Sequence, residues 1–236
     1  MTKKHEHTTE TPETNPQPKA SSRRVYLFGR LENEIAMPVI ARLLKLNDRD
    51  SKRPIDLYIN SAGGNGYNAD AIIAVMHSIS APVNTICLGH ALSGACEILA
   101  SATGKRQAYE FSTLMFHQTL WEADGDITNL EIQAHQGQRF REAQIELLHR
   151  CTGKTKDTIR TDIERDHYMS AGEALRYGLI DEIIPHTSKN HKSRGKKAKS
   201  EGKVRNIAKA TKRASKVAAS YKPKKSARST RKPGRK

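Results

Sequence analysis

Ile55-Asp-Leu-Tyr-Ile-Asn60 alternates apolar and polar side chains and runs directly into Ser61-Ala-Gly-Gly-Asn-Gly66. Alternation of period two marks a half-buried strand. Glycines clustered behind it mark a turn where the backbone can approach another group closely. Ile72, Val75, Met76 and Ile79 then recur at helical spacing, and Val83 to Leu88 is a second apolar run that stops at Gly89. Strand, Gly-rich turn, helix and strand together predict a βαβ unit and an α/β fold with a largely parallel sheet.

The same alternation extends both ways. Upstream, Val25-Tyr-Leu-Phe-Gly29 reads as a strand ending in a turn, and Glu32 to Leu46 as a helix whose Ile35, Val39, Leu43 and Leu46 share a face. Pro38 is tolerable there only near the helix start. Downstream, a helix begins near Ser93, and short strands follow at Arg106–Tyr109 and Leu114–His117. After a polar excursion from Glu122 to Asp126, the capping box Thr128-Asn-Leu-Glu131 opens a long helix that Gly153 ends. A second box, Ser170-Ala-Gly-Glu173, opens a short helix ending at Gly178, and the strand Leu179–Ile184 closes the series before Pro185.

Charge divides the 236 residues into unlike parts. The formal net charge is +16, yet residues 188–236 alone hold 20 Lys/Arg against one acid, Glu201, which leaves 21 basic and 24 acidic groups elsewhere. A mildly acidic domain carries a strongly basic tail, which excludes a uniformly basic nucleic-acid-binding fold. The expected division is a disordered polar leader over residues 1–23, a domain over 24–187 and a disordered basic tail over 188–236. Such a tail attracts DNA, RNA or other polyanions through counterion release without reading sequence, or serves only to solubilise. The leader lacks an apolar signal-peptide core, and no run is long enough to span a membrane. Three cysteines without metal-ligand spacing fit a reducing cytoplasm, and no cofactor or metal is expected in this chain.

Three places could carry chemistry. The Gly-rich loop matches no nucleotide-binding motif, so it reads either as a tight turn or as a cradle with free N–H groups. Ser93, in Gly89-His-Ala-Leu-Ser-Gly-Ala95, stands at a strand-to-helix junction. There a hydroxyl serves as an N-cap or as a nucleophile whose developing charge the helix N-terminus favours. His117 ends an apolar strand, and Asp166 lies in Glu164-Arg-Asp-His-Tyr168. Composition and periodicity do not join these three side chains.

Four stretches together resemble a known family. Leu57-Tyr-Ile-Asn-Ser-Ala-Gly-Gly64 is similar to the Y-I-N-S-P-G-G signature of the Clp protease proteolytic subunit (ClpP), and Thr85-Ile-Cys-Leu-Gly-His-Ala-Leu-Ser-Gly-Ala95 to its T-I-C-x-G-x-A-A-S-M-G segment. Met115-Phe-His-Gln118 resembles its M-I-H-Q motif. Glu164-Arg-Asp-His-Tyr-Met-Ser170 with Glu173-Ala-Leu-Arg-Tyr-Gly-Leu-Ile-Asp181 resembles its E-R-D block. The likeness covers roughly residues 24–184.

The resemblance implies a ClpP/crotonase-like α/β fold of repeated strand–helix units, with the helix from Thr128 as a protruding handle. It implies a serine endopeptidase with Ser93 as nucleophile, His117 as general base, Asp166 as the group orienting the histidine, and an oxyanion hole from the backbone N–H groups of Gly64 and Gly94. It also implies self-association into stacked heptameric rings, Arg165 in ring-to-ring contact, protein substrates, and a Clp-type AAA+ ATPase that uses ATP on the subunit's behalf. A non-catalytic ring subunit and a crotonase-like acyl-thioester enzyme are the alternatives; the complete set of three side chains and the four motifs disfavour them. Ala62 replaces the usual proline, the leader lacks the family's apolar segment, and Leu92 with Gly94-Ala-Cys96 is expected to reshape the wall beside Ser93. His90 and Cys96 read as packing residues.

Overall fold

The computed structural model describes residues 22–186. The expectations for the leader ahead of Ser22 and for the basic tail lie outside the described residues. Arg23, assigned to the leader by sequence, belongs to the folded unit: its guanidinium donates to the carbonyls of Leu46, Asp50, Arg53 and Pro54.

Strands β1 (Arg24–Phe28), β2 (Ile55–Ser61), β3 (Val83–Leu92), β4 (Arg106–Tyr109) and β7 (Glu182–Ile184) lie side by side, all parallel. The remaining strands are β5 (Thr113–Phe116), parallel to the far end of β3, and β6 (His167–Ser170), antiparallel to β5. Six helices complete the fold: α1 (Asn33–Arg49), α2 (Gly66–Ser78), α3 (Gly94–Ala100), α4 (Ile127–Thr152), α5 (Lys156–Asp162) and α6 (Ala171–Tyr177). This is the mixed α/β architecture expected. The core is one cluster that includes Leu27, Leu43, Leu57, Ile72, Ile98 and Phe116, each fully buried. Parallel strands need crossover connections, and α1 and α2 supply them after β1 and β2.

Two departures from the sequence reading position the site. β3 does not stop at Gly89 but continues to Leu92. Ile59 pairs with Cys87 while Ser61 pairs with Ala91, so β3 carries two extra residues in a bulge. The Asn60 side chain fills it, accepting from the His90 N–H at 3.2 Å. A Cβ at position 89 would lie 2.8 Å from Asn60 Oδ1, so the glycine makes room for that contact rather than ending the strand. Beyond the bulge, β3 leaves β4 and pairs with β5 through His90, Ala91 and Leu92, which carries the end of β3 to the end of β5.

The second departure is at α4, which begins two residues before Thr128's position as a cap would require. Asp126 is its N-cap, accepting from the Asn129 N–H at 3.0 Å, and Thr128 lies inside the first turn. Gly153 ends α4 with φ 71°, as expected. The Ser170–Glu173 capping box and the Gly178 stop both form around α6. Leu179 and Ile180 are buried, but the last strand starts only at Glu182.

Candidate active site

Ser93 is the one described non-glycine residue with positive φ, at φ 55° and ψ −132°. An L residue there is strained. The strain is held by pairing: the Ser93 N–H donates to the Met115 carbonyl at 2.8 Å, continuing the β3–β5 ladder into the turn. Ser93 precedes α3, yet its hydroxyl caps no N–H of that helix. Instead Ser93 Oγ lies 2.9 Å from His117 Nε2. The N-cap reading of this serine therefore gives way to a serine–histidine pair.

His117 follows the last residue of β5 and is mostly enclosed, with 15% of its side chain exposed. Its carbonyl accepts from Gln144 Nε2 of α4 at 2.9 Å. On the other ring nitrogen, Asp166 Oδ1 stands 3.7 Å from Nδ1, beyond direct hydrogen-bond reach, with the aspartate 57% exposed. The segment bearing Asp166 is tied to the histidine by the Gln118 N–H, which donates to the Ile163 carbonyl at 2.6 Å. It is tied to α4 by an Arg141–Glu164 ion pair. All three side chains singled out by sequence thus converge, two in contact and the third one step away. Arg165 is exposed, and its guanidinium donates to the Glu164 carbonyl at 2.8 Å.

The Gly-rich loop packs onto this turn. Ser61 Oγ accepts from the Gly63 N–H at 3.1 Å and folds the loop back. At Gly63 (φ 81°) a Cβ would lie 2.6 Å from the Leu92 carbonyl oxygen and 2.8 Å from Ser93 Cβ. At Gly64 (φ 148°) it would lie 2.8 Å from the Leu31 nitrogen. The close approach that the glycines permit is to the serine turn and to the β1–α1 connection. Gly64 and Gly94 both line the cleft with Ser93. The Gly94 N–H, first in α3, has no partner within its helix.

The cleft encloses about 290 Å³ between the Gly-rich loop, α3, the segment after β5, and α4. Leu92 and Cys96, expected to shape its wall, are not among its lining residues, and Cys96 is fully buried with its thiol pushed up by burial. What the sequence reading did not single out is Glu97, one turn along α3 from Ser93. It is 7% exposed yet faces the cleft, and Gln144 Nε2 donates to its Oε1 at 2.6 Å. Burial pushes its carboxyl up to about 7, and the Gln144 hydrogen bond opposes that rise. A lone acid inside Ala95-Cys-Glu-Ile-Leu-Ala100 was the available signal. Phe140 and Gln144 gave none, because α4 reads as a mixed polar helix, and Thr119 stands in the irregular segment between β5 and α4.

The likeness to known proteins places the chain among the peptidases. A family model described as Clp protease matches residues 16–187. The chain belongs to the Clp protease family. It is 41% identical over 172 residues to ATP-dependent Clp protease proteolytic subunit 3 of Frankia casuarinae, a match covering 72% of this chain and 81% of that one. It is 37% identical over 169 residues to the ATP-dependent Clp protease proteolytic subunit of Deinococcus radiodurans, covering 71% and 83%.

Proposed function

We propose that the chain is a serine endopeptidase that cleaves peptides and unfolded proteins by acyl transfer. The observation that carries this reading is the 2.9 Å contact between Ser93 Oγ and His117 Nε2 at a strained turn. A hydroxyl is a weak nucleophile until an adjacent base takes its proton, and an imidazole at hydrogen-bond distance is such a base. Ser93 attacks the peptide carbonyl as His117 Nε2 accepts the hydroxyl proton. The carbonyl oxygen, now charged, is met by the N–H groups of Gly64 and Gly94. His117 returns the proton to the leaving amine, and water, deprotonated by the same imidazole, releases the acyl group. Asp166 orients His117 through Nδ1, closing from 3.7 Å to a hydrogen bond as the ring gains charge.

The relatives' names, ATP-dependent and proteolytic subunit, support a subunit of an assembly that works with an ATP-consuming partner. The family resemblance extends this reading to stacked heptameric rings enclosing a chamber in the cytoplasm, fed by a Clp-type AAA+ ATPase. Arg165 would then meet the opposite ring, and the basic tail would hold polyanions near it. Among the described residues no helix is long and apolar enough to cross a membrane. Hydrolysis of a short fluorogenic peptide by the full chain, beside Ser93→Ala, tests the chemistry without an ATPase.

A further inference from the structure

Glu97 lines the cleft, and the acyl-transfer chemistry does not use it. Its Oε1 accepts from Gln144 Nε2 at 2.6 Å. Its Oε2 accepts no hydrogen bond among the described residues and is not sealed from the cleft that the residue lines. The Gln144 amide group is already spent, donating also to the His117 carbonyl at 2.9 Å while its Oε1 takes the Thr119 hydroxyl at 3.5 Å. A largely enclosed carboxylate oxygen that opens only to the cleft is well placed to take a donor that a ligand brings. Met115, Leu120 and Phe140 contribute apolar side chains to the lining of the same cleft.

A cleft that offers apolar side chains and a single acid fits a long aliphatic stem with a cationic tip. Glu97 lies in the first turn of α3, four positions after Ser93 at the N-cap position, a rise of about 6 Å at helical spacing and within the reach of such a stem from the attacked carbonyl. The other charged group at the cleft, Arg30, is exposed at the rim and turned toward Glu32 at 3.6 Å. Resting on the acyl-transfer reading, we infer that Glu97 is a specificity-determining residue that selects lysine or arginine on the acyl side of the bond Ser93 cleaves.

The full chain, in its assembled form, is tested on four fluorogenic peptides: lysine or its uncharged near-isostere norleucine, on the acyl side or on the leaving side. Labelling of Ser93 by a fluorophosphonate is followed in parallel. The expected result is kcat/KM at least 10-fold higher for acyl-side lysine than for acyl-side norleucine. That ratio drops at least 10-fold in Glu97→Gln, where volume and shape stay and charge goes. The ratio is read within each protein, so it is independent of how much of a preparation is active, and the wild-type ratio needs no variant at all. Equal or better cleavage after norleucine, or a lysine advantage only on the leaving side, overturns the assignment while leaving acyl transfer standing. Neither cleavage nor labelling of Ser93 overturns the acyl-transfer reading and this assignment with it.

Discussion

Gly63 and Ser93, thirty positions apart in sequence, are packed so closely that a Cβ on the first would lie 2.8 Å from the Cβ of the second. The Gly-rich loop and the serine turn are therefore one unit, and neither can shift alone. Gly63 also has φ 81°, which an alanine tolerates only at a cost of about 1–2 kcal/mol. Gly63→Ala should push the serine turn off His117 and cut peptide hydrolysis at least 100-fold. Circular dichroism of the variant should still show a folded α/β protein.

Strain at Ser93 makes a separable prediction. Removing the hydroxyl by Ser93→Ala leaves the β-carbon that makes φ 55° unfavourable, whereas Ser93→Gly removes both. Both variants should be inactive, and the glycine variant should melt about 2–4 °C above the alanine variant. A lower melting temperature for the glycine variant would mean that the turn is not strained.

Glu97 links the site to pH-dependent stability. Its folded-state carboxyl is pushed up to about 7, by burial first and by the Asp70 charge last, from the ordinary 4.5 of the unfolded chain. The folded state therefore binds the extra proton between those values, so this group's contribution to stability falls as pH rises through that window. The full difference is on the order of 3 kcal/mol. Thermal melts across pH 5 to 8 should show wild type losing stability relative to Glu97→Gln as pH rises. His117 and Arg30 also face the cleft and are common to both proteins, so the comparison cancels them.

Asp166 is exposed and 3.7 Å from the His117 ring, so its help is orientation rather than a buried ion pair. Asp166→Asn should lower kcat about 10- to 100-fold with little change in KM, less than loss of the base itself. A KM effect instead would assign Asp166 to substrate binding.

Much of this fold could be read from the chain because its strands and helices obey their periods. Ile55–Ser61 buries every second residue, and α1 buries Val39, Leu43 and Leu46 as spaced. What stayed hidden depended on distant partners. Gly89 looks like a strand end until Asn60, on the neighbouring strand β2, supplies the contact that fills the bulge. Helix α5 buries one residue, Ile159, and β6 buries one, Met169, too few to set a period. Ser93, His117 and Asp166 were joined by resemblance, since spacing alone allows many such triples. Glu97 escaped because its partner Gln144 lies on α4, 47 residues away.

The most direct test of the central claim is hydrolysis of a fluorogenic peptide by the assembled full-length chain, with Ser93→Ala and His117→Ala alongside. The account predicts turnover by the wild type, with a fluorophosphonate adduct mapped to Ser93, and loss of at least 1,000-fold in each variant. Turnover that survives Ser93→Ala, or an adduct on another residue, would contradict it.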